Sequence, residues 1–117
     1  MSIISVISGS SKTVPNAPTI GTATATGITT ATVSFTAPAF NGRSTITTYT
    51  ATSSPGGITA TLSQSGSGTI NVTGLSGGTS YTFTVTATNA VGTSAASAAS
   101  NSITTTTPSY ALAQTYN

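Results

Sequence analysis

Apolar and polar residues alternate with a period of two along most of the chain. Ala31, Val33 and Phe35 alternate with Thr32, Ser34 and Thr36, and Tyr81, Phe83, Val85 and Ala87 alternate with Thr82, Thr84, Thr86 and Thr88. Successive side chains of an extended strand point to opposite faces, so each run predicts a strand with one buried face and one hydroxyl face. Ile70 and Val72 repeat the pattern, Ile58, Ala60 and Leu62 do so again, and Ile20 and Ile103 mark outer strands near each end. Tyr49 and Ala51 share a face with which Ile46 is out of phase. That break predicts either a bulge or the lead-in to a strand. No segment repeats its apolar residues at helical spacing, and β-branched Thr, Val and Ile dominate, so no helix is predicted.

Turn residues separate these runs, at Gly27, Asn41-Gly42, Pro55-Gly56-Gly57, Gly66 to Gly68, Gly77-Gly78 and Asn89 to Gly92. Gly, Asn and Pro supply the backbone conformations that tight turns require. About seven short strands with a turn every 8 to 12 residues or so predict an all-β sandwich. Two segments fall outside this plan: residues 1–14, before Pro15 and Pro18, and residues 108–117, after the last strand. They read as tails flanking a domain of residues 15–107. The N-terminal tail carries Ile3, Ile4, Val6 and Ile7, strand-like chemistry with no place among the seven strands, suited to pairing with a neighbour's sheet edge or docking in a groove. The C-terminal tail carries Tyr110, Leu112 and Tyr116, and tyrosines are favoured interface anchors. Terminal segments order only when something ties them down, so at least one tail is expected to contact a partner protein of an assembly, the alternative being that the tails pack on their own domain.

Composition narrows the chemistry. At 117 residues the chain has room for one domain. It contains no Asp, Glu, His, Cys or Trp, and its only charged side chains are Lys12 and Arg43. General acid or base catalysis needs groups that exchange protons near neutral pH, so the chain is expected not to be an enzyme. Without Cys, His or carboxylate ligands, no metal site or cofactor is expected. The net charge of +2 and pI near 9.4 do not imply nucleic-acid binding, which needs several cations to neutralise several phosphates. No stretch approaches the roughly 20 apolar residues of a membrane span, so no membrane insertion is expected. The segment Met1 to Ser8 lacks the cationic start and unbroken apolar run of a secretory signal. Polarity comes instead from hydroxyls: 48 residues are Ser or Thr. Such a neutral surface suits a packed or assembled object better than a crowded solution, where net charge keeps proteins apart.

The most specific stretch is Val72-Thr73-Gly74-Leu75-Ser76-Gly77-Gly78-Thr79-Ser80-Tyr81, followed by Phe83, Val85, Ala87 and Asn89-Ala90-Val91-Gly92. Together with Pro15, Pro18, the run Val33-Ser34-Phe35-Thr36-Ala37-Pro38 and Tyr49, it resembles the fibronectin type III family, in the form common in tailed-phage virion proteins and bacterial surface proteins. Phe35 stands where the family usually has Trp. The resemblance implies a seven-stranded immunoglobulin-like β-sandwich. It also implies that Leu75 plugs one end of the core and that Tyr81 turns its hydroxyl back to backbone near the preceding corner, a device known from such sandwiches. The family's integrin-binding members carry Arg-Gly-Asp, and a chain without Asp does not inherit that activity.

Fold alone does not give function. The strongest candidate contact patch is Phe40-Asn41-Gly42-Arg43, an aromatic, an amide and a charge in the loop between the second and third strands. Loops at the end of a sandwich carry recognition, and Arg beside an aromatic suits sugars, carboxylates or a protein. The plainer account is that Asn-Gly makes a turn and Arg43 is solvated. Asn71-Val72-Thr73 matches a glycosylation acceptor but falls inside a predicted strand and reads as chance. Repeated Thr-x-Thr resembles an ice-binding rank, and a neutral sandwich exterior accounts for it as well.

The expectation is a non-enzymatic structural or decoration module of a tailed-phage virion, on the capsid or in the tail or fibre, located on the extracellular particle. Weak contact with cell-surface glycans, multiplied by copy number, fits the same surface. Two alternatives stay open: a carbohydrate-binding or adhesive module on a bacterial surface or secreted protein, and an extracellular filament subunit whose tail completes the next chain's sheet.

Overall fold

The computed structural model describes residues 11–107. Ile3, Ile4, Val6, Ile7, Tyr110, Leu112 and Tyr116, expected to make partner contacts, lie outside the described residues. Seven strands follow in order: β1 (Thr19–Ala25), β2 (Ala31–Thr36), β3 (Thr48–Ser54), β4 (Thr59–Leu62), β5 (Gly68–Val72), β6 (Ser80–Thr88) and β7 (Ile103–Thr104). They form a three-stranded sheet β1-β2-β5 and a four-stranded sheet β4-β3-β6-β7, with every pairing antiparallel. No helix occurs among the described residues.

The period-two pattern sets which residues face inward. Along β6, Tyr81, Phe83, Val85 and Ala87 are buried while the intervening threonines are half-buried on the outer face. The registers pair inward residues across strands, Val33 opposite Ile70 and Ala51 opposite Val85, so the two inner faces close on one core. The same registers line up hydroxyls outside: Thr61, Thr50 and Thr86 form one cross-strand rank, and Thr59, Thr52 and Thr84 the next. Such pairs support a sheet through hydroxyl and methyl contacts. They leave the broad wall of the sandwich neutral and hydrated.

Ile46 is fully packed into the core two residues before β3 begins, so the break in phase there is the lead-in to a strand. The bulge lies elsewhere, in β1 between Ile20 and Ala23. Ser34 fills it: its Oγ accepts from the Thr22 amide at 2.7 Å and donates to the Thr22 carbonyl at 3.2 Å. A Cβ on Gly21 would collide with that hydroxyl, which explains the glycine. Gly68, expected in a turn, instead opens β5 opposite Phe35.

The edge of β6 is covered by a segment to which the sequence pattern assigned no strand. Ser94, Ser97 and Ser100 donate their amides to the carbonyls of Ala87, Val85 and Phe83, at 2.8, 2.9 and 2.8 Å. Their hydroxyls accept from the amides of the same three β6 residues, at 2.9, 2.9 and 3.0 Å. Each hydroxyl then donates to a carbonyl one residue on, at Ala95, Ala98 and Asn101. Three residues of this segment therefore match two of β6, and serine side chains replace the backbone acceptors of an ordinary ladder. Asn101 then closes the seam to the other sheet by pairing both its amide atoms with the backbone of Ala23, at 2.8 and 3.0 Å.

The corner before β6 is built as the resemblance implied. Leu75 is buried, and the Tyr81 hydroxyl accepts from the Ser76 amide at 2.9 Å. Tyr49 anchors the other end of the core by donating its hydroxyl to the Ser65 carbonyl at 2.8 Å.

The charge-poor composition has a consequence for stability. No Asp, Glu or His is present, so no side chain gains or loses a proton between about pH 4 and 9, and stability is expected to stay nearly flat over that range. Burial pushes the Tyr49 hydroxyl above its ordinary value of 10.0. The folded state then holds that proton more tightly than the unfolded chain, so this contribution is complete below pH 10 or so and is lost as pH rises through the folded value. Tyr49→Phe is expected to cost about 1 kcal/mol through the lost Ser65 hydrogen bond and to make the alkaline fall shallower. Urea titrations from acid to alkaline pH check both statements, and an equally steep fall in the variant would place the effect at another group.

Candidate functional site

The loop between β2 and β3 sits at the end of the sandwich where the chain enters. Gly42 and Arg43 both adopt left-handed backbone, with φ of 80° and 67°. A non-glycine residue there is uncommon, and the Asn41 side chain holds it by accepting from the Arg43 amide at 2.9 Å. Gly42 is required for a second reason: a Cβ would collide with the Thr13 carbonyl. Residues leading into the sandwich lie against this loop, the Thr13 amide donating to Gly42 and the Asn16 amide to Phe40.

Asn89, at the end of β6, organises the whole end. It is buried, and its Nδ2 donates to the carbonyls of Thr13 and Asn41 at 2.8 and 2.9 Å and more weakly to Ser44 at 3.5 Å. Its Oδ1 accepts from the amides of Val91 and Gly92 at 2.9 and 3.2 Å. One side chain therefore ties together the lead-in segment, the β2–β3 loop and the turn after β6. Removing it in Asn89→Ala leaves these backbone groups without their partners and is expected to cost about 2 to 4 kcal/mol. Urea denaturation measures the loss. Faster hydrogen exchange at Val91 and Gly92 locates it, and unchanged exchange there would deny Asn89 this role.

This hub brings apolar side chains to the surface together. Four large apolar residues among those described are more than a third exposed: Val14 (38%), Ile28 (42%), Phe40 (42%) and Val91 (50%). Val14, Phe40 and Val91 each adjoin a residue that touches Asn89 or bond to it themselves, so all three belong to this end. Gly92 supports the closeness, since a Cβ there would lie 3.2 Å from Val14. Lys12 and Arg43, the two cations, flank the bonded pair Thr13 and Gly42 and share the same end. Of the expected contact residues, Phe40, Asn41 and Arg43 are exposed here. Val14, Val91 and Asn89 were not expected. The first two gave no signal because their neighbours come from segments far apart in sequence.

The loop chemistry is that of contact. Among the described residues this end offers apolar surface, backbone carbonyls and two cations. Asn71 lies in β5 and Thr73 just beyond it, both exposed, with Val72 between them buried in the core.

Comparison with known proteins bears on the fold. No curated protein matches the chain. Among solved structures, it is similar to domains A168–A170 of titin, with 28% identity and a TM-score of 0.66, covering 80% of this chain and 33% of that one. It is also similar to the titin kinase with its flanking domains, with 26% identity and a TM-score of 0.65 over 79% of this chain and 17% of that one. The twitchin kinase region from C. elegans shares the fold, with 23% identity and a TM-score of 0.64 over 79% of this chain and 17% of that one. The chain thus spans a third or less of these larger proteins. A family model for the fibronectin type III domain matches residues 16–103. With two antiparallel sheets, the tyrosine corner and that match over most of its length, this chain belongs to the fibronectin type III family.

Proposed function

We propose that the chain is a non-enzymatic structural module of a tailed-phage virion, on the capsid or in the tail or fibre, held to neighbouring virion proteins through its ends. The observation that carries this reading is the end organised by Asn89, where Val14, Phe40 and Val91 stand exposed together beside the point at which residues 1–10 join the sandwich. Grouped apolar surface marks an interaction site where scattered apolar residues do not. The hydroxyl walls support the same reading, since a surface with almost no charge suits a protein held in an assembly. The family is one of structural and adhesive modules, and the phage setting rests on the sequence resemblance.

Mass spectrometry of density-purified virus particles from the source culture tests this. The reading expects the chain at a fixed copy number per particle. Its absence from particles, with recovery on cell surfaces or in the secreted fraction, would hand the role to an adhesive module. A glycan contact is favoured by one observation, the joint exposure of Phe40 and Arg43 on a single loop. It predicts saturable binding to surface polysaccharide that Arg43→Ala abolishes.

A further inference from the structure

We propose that Asn41 and Gly42 form a self-modifying site, at which the Asn41 side chain closes onto the backbone as a succinimide and reopens as an aspartyl or isoaspartyl residue. The Gly42 nitrogen gives its proton to hydroxide and bonds to Asn41 Cγ. The Cγ–Nδ2 bond breaks, and Nδ2 leaves as ammonia with a proton taken from water. A water molecule then opens the ring at Cγ, giving aspartate, or at the main-chain carbonyl, giving isoaspartate with the chain running through Cβ and Cγ. Three atoms of the folded loop suit this reaction. Oδ1, where negative charge collects as the nitrogen adds, accepts from the Arg43 amide at 2.9 Å, and a donor already aimed at such an oxygen stabilises that charge. Nδ2, the leaving group, makes no hydrogen bond to the described residues. Neither does the Gly42 amide, the nucleophile. Asn41 is exposed, so water reaches the ring.

The fold calls for both halves of the pair. A Cβ at position 42 would collide with the Thr13 carbonyl, and the φ of 80° there suits glycine. The Asn41 side chain in turn holds Arg43 in left-handed backbone. Without a Cβ on Gly42 the attacking nitrogen is also unhindered. Asn16, Asn71, Asn89 and Asn101 precede Ala, Val, Ala and Ser, so none of them shares this access. The two products differ in consequence. Aspartate keeps the backbone path and, being charged, accepts more strongly from the Arg43 amide. Isoaspartate adds a methylene to the main chain before Gly42, which shifts the Gly42 carbonyl away from the Thr13 amide that donates to it. Either product adds a carboxylate to a chain that has no Asp or Glu, at the end where Val14, Phe40 and Val91 are exposed. The modification therefore alters that face whatever covers it.

Peptide mapping by mass spectrometry, after incubating the full chain at neutral and mildly alkaline pH both folded and in urea, reads the result. The mass gain of an amide turned into an acid should appear at residue 41, faster as pH rises and about tenfold or more ahead of every other asparagine, because the oxyanion donor is already in place. It should proceed no more slowly in the folded chain than in urea. Gly42 itself is buried, and if that burial keeps hydroxide from its N–H the folded sample will lag behind the unfolded one, which overturns the proposal. Earlier conversion at another asparagine overturns it too. Asn41→Gln must close a larger ring and should stop the reaction; a mass gain that persists there would place the chemistry elsewhere. Hydrogen exchange then compares the products. The separated isoaspartyl form should exchange the Thr13 amide faster than the parent, whereas Asn41→Asp, which supplies the aspartyl form alone, should not. An isoaspartyl form with that amide still protected would deny the break at this junction. The virion reading is untouched by each result, since it stands or falls on particle composition alone.

Discussion

Replacing Ser94, Ser97 and Ser100 together by alanine is expected to destabilise the fold by about 3 to 6 kcal/mol, although no apolar contact is removed. The amides of Phe83, Val85 and Ala87 are buried and donate to these three hydroxyls. Alanine at each position leaves a buried N–H without a partner, at about 1 to 2 kcal/mol apiece, and the three sites lie along one ladder, so their costs need not add simply. Domains of this size have about 5 to 15 kcal/mol in all, so the triple variant should sit close to unfolding. Urea denaturation gives the total, and hydrogen exchange at the three β6 amides shows whether the loss is local. Ala95→Ser and Ala98→Ser, at exposed positions between the serines, should change little. A triple variant within about 1 kcal/mol of the parent would mean that the backbone carbonyls of this segment can take over from the hydroxyls.

Phe35→Ala is the second large effect, expected at about 3 to 5 kcal/mol. Phe35 comes from β2 and Tyr49 from β3, so their rings, with centroids 4.2 Å apart and planes inclined at 37°, join the two sheets across the core. Truncation removes that bridge and leaves a cavity between sheets that are each hydrogen-bonded internally and cannot simply collapse. With a urea dependence of about 1 to 3 kcal/mol per molar, the midpoint should fall by more than 1 M or so. A shift of a few tenths would mean that the sheets are held mainly at their edges, by Asn101 and the serine ladder. Comparing this variant with the triple serine variant therefore separates the two means of closing the sandwich.

Strands β2, β3, β5 and β6 were legible because each buries alternate residues, which leaves its mark on the strand by itself. By contrast, β4 only half-buries Ala60 and Leu62, and β1 and β7 were marked by one isoleucine each. Leu75 and Tyr81 were legible because the corner that uses them lies within a few residues of both. The bulge was not, since it depends on Ser34 of β2 reaching across to Thr22 of β1. The serine ladder left a trace in the repeat Ser94-Ala95-Ala96-Ser97-Ala98-Ala99-Ser100, with a period of three. That period belongs to neither a helix nor a regular strand, so a reading by those two templates passes over it. At the candidate site, the loop Phe40-Asn41-Gly42-Arg43 stood out through its own composition. Asn89 looked like a turn residue only, because its partners Thr13 and Asn41 are 76 and 48 residues away.

The amino-acid sequence by itself determined that this protein is an all-β sandwich with a hydroxyl-rich exterior, only two charged side chains, and no Asp, Glu, His or Cys. Those properties follow from local alternation and from which residue types are present. Only the tertiary structure decided how the sandwich is closed and which residues share an end. Ser94, Ser97, Ser100, Asn89 and Asn101 act through hydrogen bonds to backbone groups distant in sequence, and a backbone partner leaves no residue type to recognise. The apolar end is of the same kind: Val14, Phe40 and Val91 become one surface because a buried asparagine holds three separate segments together.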